Sequence, residues 1–239
     1  MNVIPIGSSS KGNAYVVEHD GHAILIDCGV CYKRLRDWPI EAVLITHSHT
    51  DHISGLPVLL KHLDVPVYAN FGTAEAVGAQ LRVDESVFVC FENGQDFEVG
   101  DFAVHPFSIP HDTSDPVGYL VRSAGVTYFH GTDIGTPLDS IGVQLAEADI
   151  ATLESNHDLV MLNTSSRPEC LKQRIRGPRG HLSNDQAAGL VRKFASPRLK
   201  KLFLAHLSHE CNAPHLALNA MRSVLAEMGR DDIDLELAE

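Results

Sequence analysis

The string Thr46-His47-Ser48-His49-Thr50-Asp51-His52 constrains this chain more than any other part of it. It follows the apolar run Val43-Leu44-Ile45, which reads as a strand, so the string occupies a loop at a strand end. Three imidazoles and one carboxylate crowded there can converge on cations, which no amphipathic surface requires. A single ion takes three or four such ligands, so this cluster together with distant ligands indicates two ions.

The rest of the chain suits a folded protein around such a loop. At 239 residues, with 44% hydrophobic and 21% charged residues and no low-complexity tract, disorder, a collagen-like fibre and a small cysteine scaffold are excluded. No apolar run approaches the roughly 18 residues of a membrane span, and Met1-Asn2-Val3-Ile4-Pro5 lacks a basic segment before a long apolar one, so a cytoplasmic protein is expected. Cys28, Cys31, Cys90, Cys170 and Cys211 are scattered and odd in number, which argues for reduced thiols; Cys28-x-x-Cys31 has no second such pair to complete a zinc site.

Short β-like runs cover 3–6, 14–18 and 22–27, then 43–45, a polar loop, a helix over 53–62, a strand over 65–69 and a helix over 73–80. A second group of strands covers 86–91, 97–98, 102–106, 117–122 and 126–129. Helices are expected over 137–147, 168–175, 184–194 and 214–228, with strands at 150–154 and 202–205; Ser183 reads as an N-cap. With no linker or repeat, the expectation is one layered α/β domain spanning residues 1–239.

Net charge is −12, which alone speaks against a nucleic-acid partner. Its distribution is uneven: 167–201 holds Arg167, Lys172, Arg174, Arg176, Arg179, Arg192, Lys193, Arg198, Lys200 and Lys201 against Glu169 and Asp185. That stretch is either a solvated helical surface or a track for a polyanion.

Further metal-ligand candidates sit at strand ends or in loops, where active sites are built. They are His111 in Pro110-His111-Asp112, Asp133 after the run 126–129, His181 in Gly180-His181-Leu182-Ser183, and His206 after 202–205. Alone, each has a bland reading as a solvated histidine or a turn aspartate; together they strengthen one another.

The HxHxDH string at His47–His52, with Leu25-Ile26-Asp27-Cys28-Gly29 before it, resembles the metallo-β-lactamase fold hydrolases. Gly7-Ser8-Ser9-Ser10-Lys11-Gly12-Asn13, Ser108-Ile109-Pro110-His111-Asp112, Glu154-Ser155-Asn156-His157-Asp158, Gly180-His181-Leu182-Ser183-Asn184 and Leu204-Ala205-His206-Leu207-Ser208 are together similar to the YycJ/WalJ family, over about residues 3–218. The resemblance implies a four-layer αββα sandwich with two divalent ions per chain, zinc or manganese with iron also suited. It implies that His47, His49 and His111 hold one ion, Asp51, His52 and His206 the other, and that Asp133 bridges them. Asp27 becomes a buried organiser of the loop, and Asp51 and His181 the catalytic residues, His181 facing the leaving group.

Such a site suits phosphodiester hydrolysis: two ions sharing a hydroxide lower its pKa towards 7, and a neighbouring imidazole can protonate the departing alkoxide. Ser8, Ser9 and Asn13 are candidates to cradle a phosphate, and Lys172 and Arg174 to contact substrate. The resemblance implies a 5′ to 3′ exonuclease acting on DNA; oligomeric state and pathway do not follow from the sequence. The alternatives are a small-substrate or cyclic phosphodiesterase resembling the PhnP group, a thioester or lactam hydrolase, and a metal-binding scaffold without catalysis.

Overall fold

The computed structural model describes residues 1–238, which form two compact units. The first comprises 1–108 and 113–125, the second 109–112 and 126–238.

In the first unit, β1 (Asn2–Gly7), β2 (Ala14–His19) and β3 (His22–Ile26) run antiparallel. Asp20 and Gly21 both take positive φ in the two-residue turn joining β2 to β3, the conformation that matches the twist of a hairpin. β4 (Ile40–Leu44), β5 (Val67–Asn70) and β6 (Phe88–Phe91) then extend the sheet from β3 in parallel. Their carboxyl ends therefore share one edge, where the residues following β3 and β4 meet. One face of the sheet is sealed by Leu25, Val43, Ile45, Ile53, Leu56 and Val77, all wholly buried, each contributing about 1.5–3 kcal/mol if only burial is counted.

The expected helix over 53–62 divides into α1 (Thr50–Ile53) and α2 (Leu56–Leu59). The break falls at Gly55, whose amide donates to Cys28 O and whose Cα lies so close to Val30 that a Cβ would meet its carbonyl oxygen at 2.0 Å. The helix begins three residues earlier than expected, so Asp51 and His52 lie in a helical turn rather than a loop. α3 (Phe71–Leu81) is capped by Asn70, whose side chain accepts from Thr73 N. The expected strand over 86–91 is a 3-10 turn at Glu85–Val87 followed by β6. β7 (Phe97–Val99), β8 (Phe102–Ser108) and β9 (Val117–Ser123) pair antiparallel.

In the second unit, β10 (Val126–Gly131), β11 (Ile150–Glu154), β12 (Lys201–Ala205) and β13 (Asp234–Leu237) are parallel neighbours. Asp133, Glu154 and His206 therefore cluster at one carboxyl edge. α4 (Asp139–Leu145), α5 (Leu159–Thr164), α6 (Glu169–Ile175), α7 (Asn184–Phe194) and α8 (Pro214–Glu227) complete this unit. Ser183 caps α7 in a reciprocal capping box with Gln186. Sequence periodicity missed α5, which is too short for a full apolar stripe, and β13, whose sequence Asp-Leu-Glu-Leu reads as surface.

Candidate functional site

Each unit carries a cluster of histidines and carboxylates at the carboxyl edge of its parallel strands.

In the first unit, Asp27 follows β3 with φ +60° and is fully buried. Its carboxylate accepts from Thr46 N at 2.9 Å, from Thr46 Oγ1 at 2.8 Å and from His52 Nδ1 at 2.7 Å. With Nδ1 donating to Asp27, the lone pair of His52 is on Nε2, the tautomer a metal requires. The His47 and His52 rings lie 4.1 Å apart and those of His47 and His49 4.8 Å apart. Asp51, 23% exposed at its side chain, places Oδ2 3.6 Å from His52 Nε2.

Backbone contacts fix this loop. Cys28 N donates to His52 O, Asn13 N to Asp51 O, and Gly29 N to Asn13 O. A Cβ on Gly29 would stand 1.7 Å from Asp51 O, so only glycine fits there. Asn13 is wholly buried and its amide reaches Asp51 Oδ2 at 3.1 Å and His52 Nε2 at 3.0 Å. It positions the loop rather than facing outward to a phosphate, as the sequence suggested. Ser8 accepts from Tyr15 Oη at 2.6 Å and Ser9 Oγ accepts from Lys11 N; both serines are half-buried.

In the second unit, Asp133 and His206 also hold positive φ, +59° and +55°. Like Asp27, they are non-glycine residues in a strained region at a strand end, a pattern that concentrates at functional sites. Asp133 Oδ1 lies 3.6 Å from His111 Nε2, 3.5 Å from His181 Nδ1 and 3.4 Å from His206 Nδ1. His111 Nδ1 donates to Gly180 O at 3.1 Å, leaving Nε2 its lone pair. Burial pushes the His111 imidazole down, against the opposing pull of Asp133, so it is neutral at pH 7 and able to ligate. Gly180 is required here, because a Cβ would meet Ile175 O at 2.1 Å; Gly135 is likewise pressed against Pro178 and Arg179.

Glu154 was not singled out from the sequence as a site residue. Its carboxylate, fully buried at the end of β11, accepts from His181 Nδ1 at 2.8 Å and His206 Nδ1 at 3.0 Å, and from the amides of Ile134 and Leu182. Burial pushes its carboxyl up, but the charge and hydrogen bonds of His181 and the bond from His206 outweigh this and hold it well below the usual range. The signal was available: like Asp27 and Asp133, Glu154 is a carboxylate closing an apolar strand. His181, at 21% side-chain exposure, is the open member of this cluster, while His206 and His111 are buried.

The donor set fits divalent cations. Asp133, Glu154, His181 and His206 each bring a ligand atom within 4.8 Å of the others, and buried imidazoles held through Nδ1 are characteristic of metal ligands.

Of the residues expected to contact substrate, Arg174 pairs with Asp112 beside His111 and is 61% exposed. Lys172 is buried and its ammonium donates to Asn163 O at 2.8 Å, so the structure does not bring it to the cluster. The basic stretch is largely paired: Arg167 with Glu210, Arg174 with Asp112, Arg176 with Glu169, Arg192 with Glu227, Lys193 with Asp139, Arg198 with Asp149, Lys200 with Asp232, and Lys201 with Asp234 and Glu236. Its positive field is thereby cancelled locally.

The fold and these residues define a hydrolase of the metallo-β-lactamase class, which holds divalent metal. Residues 22–206 match the family model of the Beta-lactamase superfamily domain. The metallo-beta-lactamase fold protein YhfI from Bacillus subtilis superposes with a TM-score of 0.74 at 18% identity, covering 99% of this chain and 95% of that one. Exodeoxyribonuclease WalJ of Streptococcus pneumoniae is 32% identical over 93% of this chain and 87% of its own length, and exodeoxyribonuclease YycJ of Bacillus anthracis 32% over 94% and 89%. The chain belongs to the WalJ/YycJ family of that superfamily.

Proposed function

We propose that this chain, folding as one domain, is a metal-dependent exonuclease that degrades DNA from the 5′ end, with zinc or manganese as its ions and iron(II) as a further fit. The observation that carries the reading is the 32% identity to two exodeoxyribonucleases over nearly the whole chain, joined to imidazoles held through Nδ1 by Asp27, Gly180 and Glu154. In this reading His47, His49 and His111 hold one ion, Asp51, His52 and His206 the second, and Asp133 is shared. When bound, the ions activate the attacking water and neutralise the phosphate oxygens.

The chain's own residues do the rest. Asp27 fixes His52, and Glu154 fixes His206, through Nδ1. Glu154 accepts the Nδ1 proton of His181 as well, and its carboxylate supports the imidazolium form of this partly exposed ring, whose Nε2–H is the proton given to the leaving oxygen. Arg174, oriented by Asp112, stands where it can meet a substrate phosphate.

A second reading, hydrolysis of small or cyclic phosphodiesters, is favoured by the pairing of the basic stretch, which weakens it as a polyanion track. Metal-loaded, monodisperse protein assayed on oligonucleotides and on bis(p-nitrophenyl) phosphate separates the two. Cleavage of DNA oligonucleotides is expected; turnover of the small ester with none on any oligonucleotide would select the second reading.

No helix among the described residues is long and apolar enough to cross a membrane.

A further inference from the structure

Of the ten cations of the basic stretch, eight are ion-paired and Lys172 is buried; among the described residues Arg179 alone is exposed without an ion pair there, and further cations able to meet a polyanion lie elsewhere. Among the described residues outside that stretch, Lys11, Lys33, Arg34, Lys61, Arg82 and Arg222 are exposed and form no ion pair; Lys11 and Arg34 are the ones beside the Gly7–Asn13 loop. A Cβ on Gly7 would meet Val30 Cγ1 at 2.9 Å, Gly12 O at 3.0 Å and an Arg34 guanidinium nitrogen at 3.4 Å. A Cβ on Gly12 would meet Gly29 O at 2.4 Å. The two glycines thus let the loop lie flat against the chain from Gly29 to Arg34, with the guanidinium over Gly7.

The end of this loop is fixed at the site. Asn13 binds the backbone and carboxylate of Asp51 and the ring of His52. Lys11 is at the exposed tip, its amide donating to Ser9 Oγ at 3.2 Å, so the Ser9 hydroxyl proton can be donated outward. The amides of Ser9 and Ser10 make no hydrogen bond among the described residues. The loop thus carries ammonium, hydroxyl and amide donors, with the Arg34 guanidinium over its first glycine and its end fixed at Asp51, and no carboxylate is paired to either cation. This is the donor set that recognises a phosphate.

We propose that Arg34, Lys11 and the Ser9–Ser10 turn anchor a phosphate of the nucleic-acid strand other than the one being cleaved. The proposal rests on the nuclease reading and adds the place where the strand is gripped. Arg34 and Lys11 are positioning residues: they touch the strand and not the reacting atoms.

The test is kcat/KM of manganese-loaded protein on a single-stranded DNA oligonucleotide between about 50 and 200 mM salt, for wild type, Arg34→Gln, Lys11→Gln and Arg34→Lys. Turnover of bis(p-nitrophenyl) phosphate is measured alongside. Arg34→Gln is expected to raise KM for the oligonucleotide several-fold and to make the plot of log(kcat/KM) against log salt shallower by about 0.7, the contribution of one phosphate contact on a single strand. Arg34→Lys should keep the slope, and small-ester turnover should not change. A 5′-phosphorylated and a 5′-hydroxyl substrate locate the anchored group: loss confined to the former assigns the terminal phosphate, equal loss an internal one.

An unchanged slope and KM in Arg34→Gln and Lys11→Gln, with wild type active on the oligonucleotide, would overturn the anchor alone. An equal loss on the oligonucleotide and on bis(p-nitrophenyl) phosphate would overturn it too, as the mark of a structural role. A wild type that neither binds nor cleaves any oligonucleotide overturns the nuclease reading, and the anchor with it.

Discussion

Asp133 combines a backbone at φ +59° with a carboxylate that is 2% exposed and surrounded by the rings of His111, His181 and His206. The left-handed conformation is unfavourable for a residue with a Cβ, by about 1 kcal/mol or more. Glycine at this position relieves that strain and removes the buried charge. Asp133→Gly is therefore expected to raise the thermal midpoint of chelator-treated protein while abolishing hydrolysis. A lower midpoint would show that the carboxylate, tied to its three imidazoles, stabilises the fold even without metal. Glu154 is the complementary case, touching no substrate but holding two imidazoles by Nδ1. In Glu154→Gln the side-chain oxygen accepts less strongly and one acceptor is lost. Loss of such a support typically costs 10–100-fold, so kcat and bound metal, measured by elemental analysis, should both fall by about that factor.

Short loops at strand ends place these side chains, and their tolerances are narrow. A Cβ on Gly29 overlaps Asp51 O, so Gly29→Ala must displace the turn that carries Asp51 and His52. Urea unfolding should show a loss of more than about 2 kcal/mol, in the range of backbone-incompatible substitutions. His157 opens the segment leading to α5; its ring is buried, and neither nitrogen is hydrogen-bonded among the described residues. Burial pushes its imidazole down to about 4. The unfolded chain takes up this proton near pH 6.5 and the folded chain only near 4, so stability falls as pH drops through that window, by up to about 3 kcal/mol. His157→Leu should flatten the dependence of the urea midpoint on pH between 7 and 4.5. An unchanged slope would place the acid sensitivity in the other histidines.

The element scale is also where the sequence was most and least informative. The HxHxDH string and the carboxylate after the 126–129 run were readable, because alternation marked the strands and the chemistry marked their ends. The division of α1 from α2 was not readable, since it depends on Gly55 packing against Cys28 and Val30, residues far away in sequence. Glu154 was passed over although it closes an apolar strand as Asp27 and Asp133 do, because strand-end position alone does not tell a site carboxylate from an ordinary one. Its role arises only when parallel pairing of β10, β11 and β12 brings three strand ends together.

At the scale of the whole molecule, charge is the feature that sequence alone misplaces. The stretch from Arg167 to Lys201 reads as a basic track, yet seven of its cations face carboxylates outside it, including Asp112, Asp139, Glu210 and Glu227, and Arg176 faces Glu169 within it. A net charge of −12 also repels a polyanion at long range. Association with DNA should therefore depend on bound cations and on few basic side chains. The salt dependence of oligonucleotide binding by metal-loaded protein is expected to correspond to a small number of phosphate contacts. A slope approaching −7, the value for about ten contacts on a single strand, would show instead that the paired residues release their carboxylates to bind the strand.

The central claim, metal-dependent exonuclease action from the 5′ end, is tested most directly by a gel assay on 5′-phosphorylated DNA labelled at its 3′ end. Purified protein with manganese is run beside a chelator control and Asp133→Ala. A ladder of labelled products that shortens stepwise from the 5′ end, and that both controls abolish, is the expected result. Intact DNA after incubation with protein of verified metal content, or a ladder that persists in Asp133→Ala, would contradict the account.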